Sequence, residues 1–167
     1  MTGGGDRLIK IWDLTEVEDP KATVVGRHKN AIFALCKTNE KKLASASCDK
    51  SIKIWDLDYR KCIQIFEGHS GFIWSLVNIE KHNEIFNDKS KKEENKDNIY
   101  NINSKEETKN MLVSASSDKT IKFWDIEESR CIKSILAHDK EINVLGKLND
   151  GNIISGSLNS TIKVWKI

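Results

Sequence analysis

The sequence predicts an all-β repeat protein, and three observations lead there. Four segments align without gaps around tryptophans: GGGDRLIKIWDL, SASCDKSIKIWDL, SASSDKTIKFWDI and SGSLNSTIKVWKI, ending on or just after Trp12, Trp55, Trp124 and Trp165. Upstream histidines keep step with them. His28 precedes Ser45, Asp49 and Trp55 by 17, 21 and 27 positions, and His138 precedes Ser155, Asn159 and Trp165 by the same steps. Finally, stretches such as Ser51-Ile52-Lys53-Ile54-Trp55 alternate β-branched and other residues behind a turn signal, Asp49-Lys50-Ser51, which is how a half-buried strand after a tight turn reads.

The third unit tests the period. From His69, the steps to Ser114, Asp118 and Trp124 are 45, 49 and 55, each larger by 28 than in the other units. The histidine spacings of 41 and 69 differ by the same 28, so one insertion accounts for every discrepancy. A period of about 40 to 45 residues with a Trp-Asp ending is the mark of propeller blades. On these residues the chain resembles the WD-repeat β-propeller family over its whole length except residues 80–110. The resemblance implies four-stranded antiparallel blades whose third strand ends at the Trp-Asp pair. The expected architecture is therefore a partial β-propeller with three nearly complete blades and a partial first one. The units are approximately 1–20, 21–60, 61–130 and 131–167.

Around the third Trp-Asp segment, strands are expected at Phe72 to Ile79, Met111 to Ala115 and Cys131 to Leu136. The single proline, Pro20, falls between strands, where its missing N–H is harmless. Residues 80–110 hold seven Lys, six Glu, two Asp and seven Asn, too polar to offset the entropy of ordering, so this segment is expected to be a disordered insertion. Its Lys89-Ser90-Lys91-Lys92 run is flanked by Asp88, Glu93 and Glu94, which favours an inert loop over a nuclear signal.

The recurring polar residues form a one-way hydrogen-bond chain on chemistry alone. An indole N–H only donates, a hydroxyl accepts and donates, a neutral imidazole accepts on one nitrogen and donates on the other, and a carboxylate only accepts. Trp55, Ser45, His28 and Asp49 satisfy one another in that order, as do Trp124, Ser114, His69 and Asp118. The fourth unit offers Trp165, Ser155, His138 and Asn159; the first offers Trp12, Thr2 and Asp6, its histidine position falling before Met1. The resemblance implies that these are structural tetrads. A Ser-His-Asp hydrolase triad would use the same residue types, but the set recurs in every blade, the tryptophan occupies the serine, and no nucleophile elbow is present. No catalytic, metal or cofactor site is expected, because the tetrads consume the blade histidines and His82 stands alone in the insertion.

With Thr2 at the Ser45 position, the chain starts inside the second strand of a blade, and Ile167 follows a third strand. Three readings stay open: a fragment or truncated gene model, a self-associating half propeller, and an open array bound to another subunit. Completion by missing blades or self-association is expected. Cys36, Cys48, Cys62 and Cys131 show neither metal spacing nor a CxxC pair, which suits reduced thiols. Cys62 and Cys131 occupy equivalent outer-strand positions. With a formal charge of +2, no secretory leader and no long apolar run, the expectation is an intracellular protein, cytoplasmic or nuclear, bound neither to nucleic acid nor to membrane.

The resemblance also implies binding positions on the loop rim: Ala31, Phe33 and Cys48; Phe72, Trp74 and Ser117; Glu141, Asn143 and Leu158. Trp74 is the one tryptophan the repeat leaves unexplained, either an aromatic anchor for a partner or packing between blades. The expected role is a protein-protein interaction scaffold or adaptor within a multiprotein complex, not an enzyme. The alternative is the substrate-recognition propeller of a ubiquitin ligase, which Arg7, Arg27, Arg60 and Arg130 fail to support because none falls on the rim. A propeller enzyme fits less well, since only Glu141 and Asn143 add polar groups there.

Overall fold

A computed structural model describes residues 1–15, 18–81 and 109–167. Fourteen strands among them form four antiparallel sheets. The first holds β1 (Thr2–Gly3), β2 (Leu8–Asp13) and β3 (Lys21–Arg27). The second holds β4 (Ile32–Lys37), β5 (Lys42–Ser47), β6 (Ile52–Asp56) and β7 (Lys61–Phe66). The third holds β8 (Ile73–Lys81), β9 (Lys109–Ser116), β10 (Thr120–Asp125) and β11 (Arg130–Leu136). The fourth holds β12 (Ile142–Lys147), β13 (Ile153–Ser157) and β14 (Ile162–Trp165). The partial propeller is all-β as expected, with two four-stranded blades between two three-stranded ones.

Sheets and sequence units are offset by one strand. β3 begins at Lys21 but pairs with β2, so each blade takes its outer strand from the start of the next unit. The insertion is shorter than its composition suggests. β8 runs to Lys81 and β9 starts at Lys109, with Glu80 opposite Asn110 and Lys81 opposite Lys109. Ladder pairing thus claims four residues that their polarity had assigned to the loop, and the expected disorder of 82–108 lies outside the described residues.

The core lies between the sheets. Ala44, Ala46, Ile52, Ile54 and Phe66 of the second blade pack with Ile73, Leu76, Leu112 and Trp124 of the third. Ile9 and Val25 of the first meet Ile32, Leu43 and Trp55 of the second, while Met111, Val113, Ala115 and Ile121 of the third meet Ile142, Leu145 and Ile153 of the fourth. Trp55, Trp124 and Trp165 therefore pack toward the preceding sheet. Trp55 and Trp124 are 3% and 2% exposed, whereas Trp12, with no sheet before its own among the described residues, is 36% exposed. The far face shows the converse: Ile162 and Val164 are 72% and 58% exposed, although their counterparts Ile52 and Ile54 are fully covered.

Close approach at these interfaces leaves no room for a side chain at Gly26, where a Cβ would overlap the Trp55 ring. Gly5 has nothing within 4 Å of its would-be Cβ. Gly26→Ala should therefore cost about 1 to 3 kcal/mol by overpacking, and Gly5→Ala should be close to neutral. Urea unfolding of both variants measures the difference.

Candidate functional site

Each tetrad is assembled from four different pieces of chain. In the second blade Ser45 sits on β5, Trp55 on β6, Asp49 in the turn between them and His28 in the loop leading into β4. Trp55 Nε1 donates to Ser45 Oγ at 2.7 Å, Ser45 Oγ lies 2.6 Å from His28 Nε2, and His28 Nδ1 lies 2.9 Å from Asp49 Oδ2. The third blade repeats this, with 2.8 Å from Trp124 to Ser114, 2.7 Å from Ser114 to His69 and 2.7 Å from His69 to Asp118. Asp49 and Asp118 also accept the backbone N–H of Lys29 and Ser70, which pins the incoming loop.

The protonation states follow from burial. Burial pushes His28 below its ordinary pKa and outweighs the Asp49 carboxylate beside it, so the ring is neutral, with its Nδ1 proton on the Asp49 side. For Asp49 the balance tips the other way. Burial works against its charge, but hydrogen bonds from Ser51, the Lys29 backbone and His28 hold its pKa at about 2. Asp118 is depressed in the same direction: burial again opposes, and His69 and Thr120 prevail.

The fourth blade departs from the expected set. His138 Nε2 bonds Ser155 Oγ at 2.8 Å, but Nδ1 reaches Thr161 Oγ1 at 2.9 Å, and Thr161 in turn donates to Asn159 Oδ1 at 2.6 Å. Asn159 is thus held at one remove. The hydroxyl two positions after the turn residue is a member that the sequence pattern did not single out. Ser51 Oγ and Thr120 Oγ1 occupy the same place, each 2.6 Å from the carboxylate and 3.3 Å from the histidine. Its signal was present as Asp-Lys-Ser, Asp-Lys-Thr and Asn-Ser-Thr. In the first blade Leu8 replaces it; Trp12 Nε1 still donates to Thr2 Oγ1 at 2.8 Å, and Asp6 turns to Lys10 Nζ at 2.7 Å.

With their polar atoms spent on one another, the tetrads leave surface chemistry to other residues. The rim positions are paired through the backbone: Cys48 N to Ala31 O, Ser117 N to Phe72 O and Leu158 N to Glu141 O. Ser117 Oγ further accepts the Phe72 N–H at 2.8 Å. Phe33, Trp74 and Asn143 share a feature visible only in the ladders. Register shifts lie between Ile32 and Ala34, Ile73 and Ser75, and Ile142 and Val144, so each of these three is the extra residue of a bulge on β4, β8 or β12. Bulges free a side chain from the pleat and re-aim it.

Two of those side chains meet. The Phe33 and Trp74 rings lie 4.3 Å apart between centroids, with Phe72 edge-on to Trp74 at 6.2 Å. Phe33 and Phe72 are 42% and 43% exposed. The Trp74 Nε1 atom is buried with no hydrogen-bond partner among the described residues. The structure thus joins Phe33, Phe72 and Trp74 into one aromatic patch across two blades, and places Glu141 and Asn143 on the next blade, at the start of β12.

The tetrad geometry sets stability. Ser114→Ala orphans both Trp124 Nε1 and His69 Nε2, at about 1 to 3 kcal/mol for each buried group. Thr2→Ala, beside a tryptophan that water reaches, should cost under about 1 kcal/mol; urea denaturation compares them. Stability should also fall in acid in two windows. Because His28 and His138 titrate below their unfolded values of about 6.5, the unfolded chain takes up protons first, and stability declines as pH drops below that value. Asp49 and Asp118 contribute fully above about pH 4 and lose that contribution as pH falls through their folded values, about 2 for Asp49. Thermal melts from pH 8 to pH 2 report both declines.

Comparison with known proteins agrees with this arrangement. The family model described as "WD domain, G-beta repeat" matches residues 20–56, 95–125 and 129–166, more than half of the chain. Protein tipD of Dictyostelium discoideum is 22% identical over 166 residues, covering 98% of this chain and 22% of that protein. Nuclear distribution protein PAC1 of Komagataella phaffii is 42% identical over 79 residues, 45% of this chain and 16% of PAC1. Among solved structures, the WD40 beta propeller domain of Doa1 superposes with a TM-score of 0.73 at 19% identity, over 99% of this chain and 45% of that one. The chain therefore spans well under half the length of these curated relatives.

Proposed function

Since the chain belongs to the WD domain, G-beta repeat family, we propose that it serves as a protein-protein interaction scaffold within a multiprotein complex. The observation that carries this reading is the aromatic patch of Phe33, Phe72 and Trp74, in which bulges raise Phe33 and Trp74 from two inner strands and Phe33 and Phe72 are half open to solvent. Aromatic side chains contribute most per residue at protein interfaces. A buried indole N–H without a partner adds a donor that a carbonyl on a bound segment would satisfy.

A binding role also suits what the histidines do. The ring nitrogens of His28, His69 and His138 are engaged within the tetrads, so none of the described histidines is left as a general base for catalysis. The ubiquitin-ligase version has less support, because no arginine stands among the rim positions. We place the protein inside the cell, and take the exposed Ile162 and Val164 face to be covered by further blades or by an associated subunit.

Trp74→Phe keeps a ring against Phe33 and removes only the unpartnered N–H, so it should leave the melting temperature unchanged or slightly raised. Combined with Phe33→Ser, it should abolish retention of the partners that the unaltered protein captures in affinity purification with mass spectrometry. Unchanged partner retention by the folded double variant would remove the patch as the site.

A further inference from the structure

A second surface owes nothing to the aromatic patch. Between the first and second blades lies a groove of about 710 Å³ bordered by Arg7, Arg27, Lys29 and Lys53, with Asp6 its one carboxylate. Asp6 is already paired to Lys10 Nζ at 2.7 Å. Lys53 Nζ donates to the Arg27 carbonyl at 3.0 Å, which holds its charge at the groove wall. Arg7, Arg27 and Lys29 are exposed and form no ion pair among the described residues.

The repeat supplies its own control. Between the second and third blades the equivalent positions are Lys50, Gly68, Ser70 and Lys122; between the third and fourth they are Lys119, Ala137, Asp139 and Lys163. Two cations therefore recur at every junction as part of the blade, one in the tight turn and one on the third strand. Arg27 and Lys29 are additions found at the first junction alone. Blade architecture does not require them, since the other two junctions form without them.

We propose that this groove binds an acidic, carboxylate-rich extended segment of a partner protein. Four converging cations with a single, already paired carboxylate favour several negative charges. The groove falls within the size range of ligand sites and far exceeds a single small anion, so a run of residues fills it. A formal charge of only +2 over the chain speaks against a nucleic acid, whose binding draws on a broad basic surface.

Fluorescence anisotropy with a labelled hexaglutamate peptide at low salt tests this on the 167-residue chain. The Arg27→Ala/Lys29→Asp variant gives the first junction the residues of the third. It should bind about tenfold or more weakly, as loss of several interfacial charges does, with an unchanged circular dichroism spectrum and melting temperature. Lys61→Glu/Lys133→Glu, a comparable charge change on outer strands, should stay within about twofold of the unaltered protein. Trp74→Phe should bind hexaglutamate normally, which separates this site from the aromatic patch. Equal weakening in both charge variants, binding of a hexalysine control as tight as hexaglutamate, or displacement by inorganic phosphate or a short oligonucleotide at lower concentration than by free hexaglutamate would each overturn the proposal.

Discussion

The structure depends on the contact between a blade tryptophan and the sheet before it. Trp55 and Trp124 have two jobs at once: the ring closes the interface with the preceding blade, and the indole N–H anchors a serine, a histidine and a carboxylate. Neither job is separable from the other. The ring is buried because a sheet covers it, and once buried its N–H must find an acceptor. Ser45 and Ser114 provide one, and the histidine that completes the serine comes from the loop joining the two sheets. Packing between blades and hydrogen bonding within a blade are thus the same event seen from two sides.

This coupling explains the gradient along the chain. At the second and third blades every member is present and the tryptophans are almost fully covered. In the first, the ring is partly wet, Leu8 stands where the other blades have the turn hydroxyl, and Asp6 pairs with a lysine instead. In the fourth, a hydroxyl relays the bond to a neutral amide. The charged form of the network appears where solvent is excluded and depressed carboxylate pKa values repay burial; the looser forms appear at the two outer sheets.

Because the tetrads satisfy themselves, they free the inner strands and the inter-blade grooves for other chemistry. The bulges at Phe33, Trp74 and Asn143 recur at one place in the ladder, but only the first two carry rings. The cations at Arg7 and Lys53 likewise recur, and only one junction adds two more. Repetition supplies the platform and the departures from it supply specificity.

The sequence by itself determined the repeat units and the Trp, Ser, His and Asp sets of the second and third blades, because these rest on residue types repeated at fixed spacing, and period is a local property of the chain. It also fixed the turn chemistry, although the Ser51, Thr120 and Thr161 hydroxyls passed as turn formers when they also join the network. Tertiary structure alone decided the rest. It set how far β8 and β9 extend into a polar segment, since backbone ladder bonds ignore side-chain polarity. It set the Thr161 hydroxyl between His138 and Asn159, a matter of rotamers and of distances in tenths of an ångström that no spacing encodes. It brought Phe33 to Trp74 across 41 positions, and Arg7 to Arg27 and Lys53, because sheets that stack place distant residues side by side and only the stacking says which.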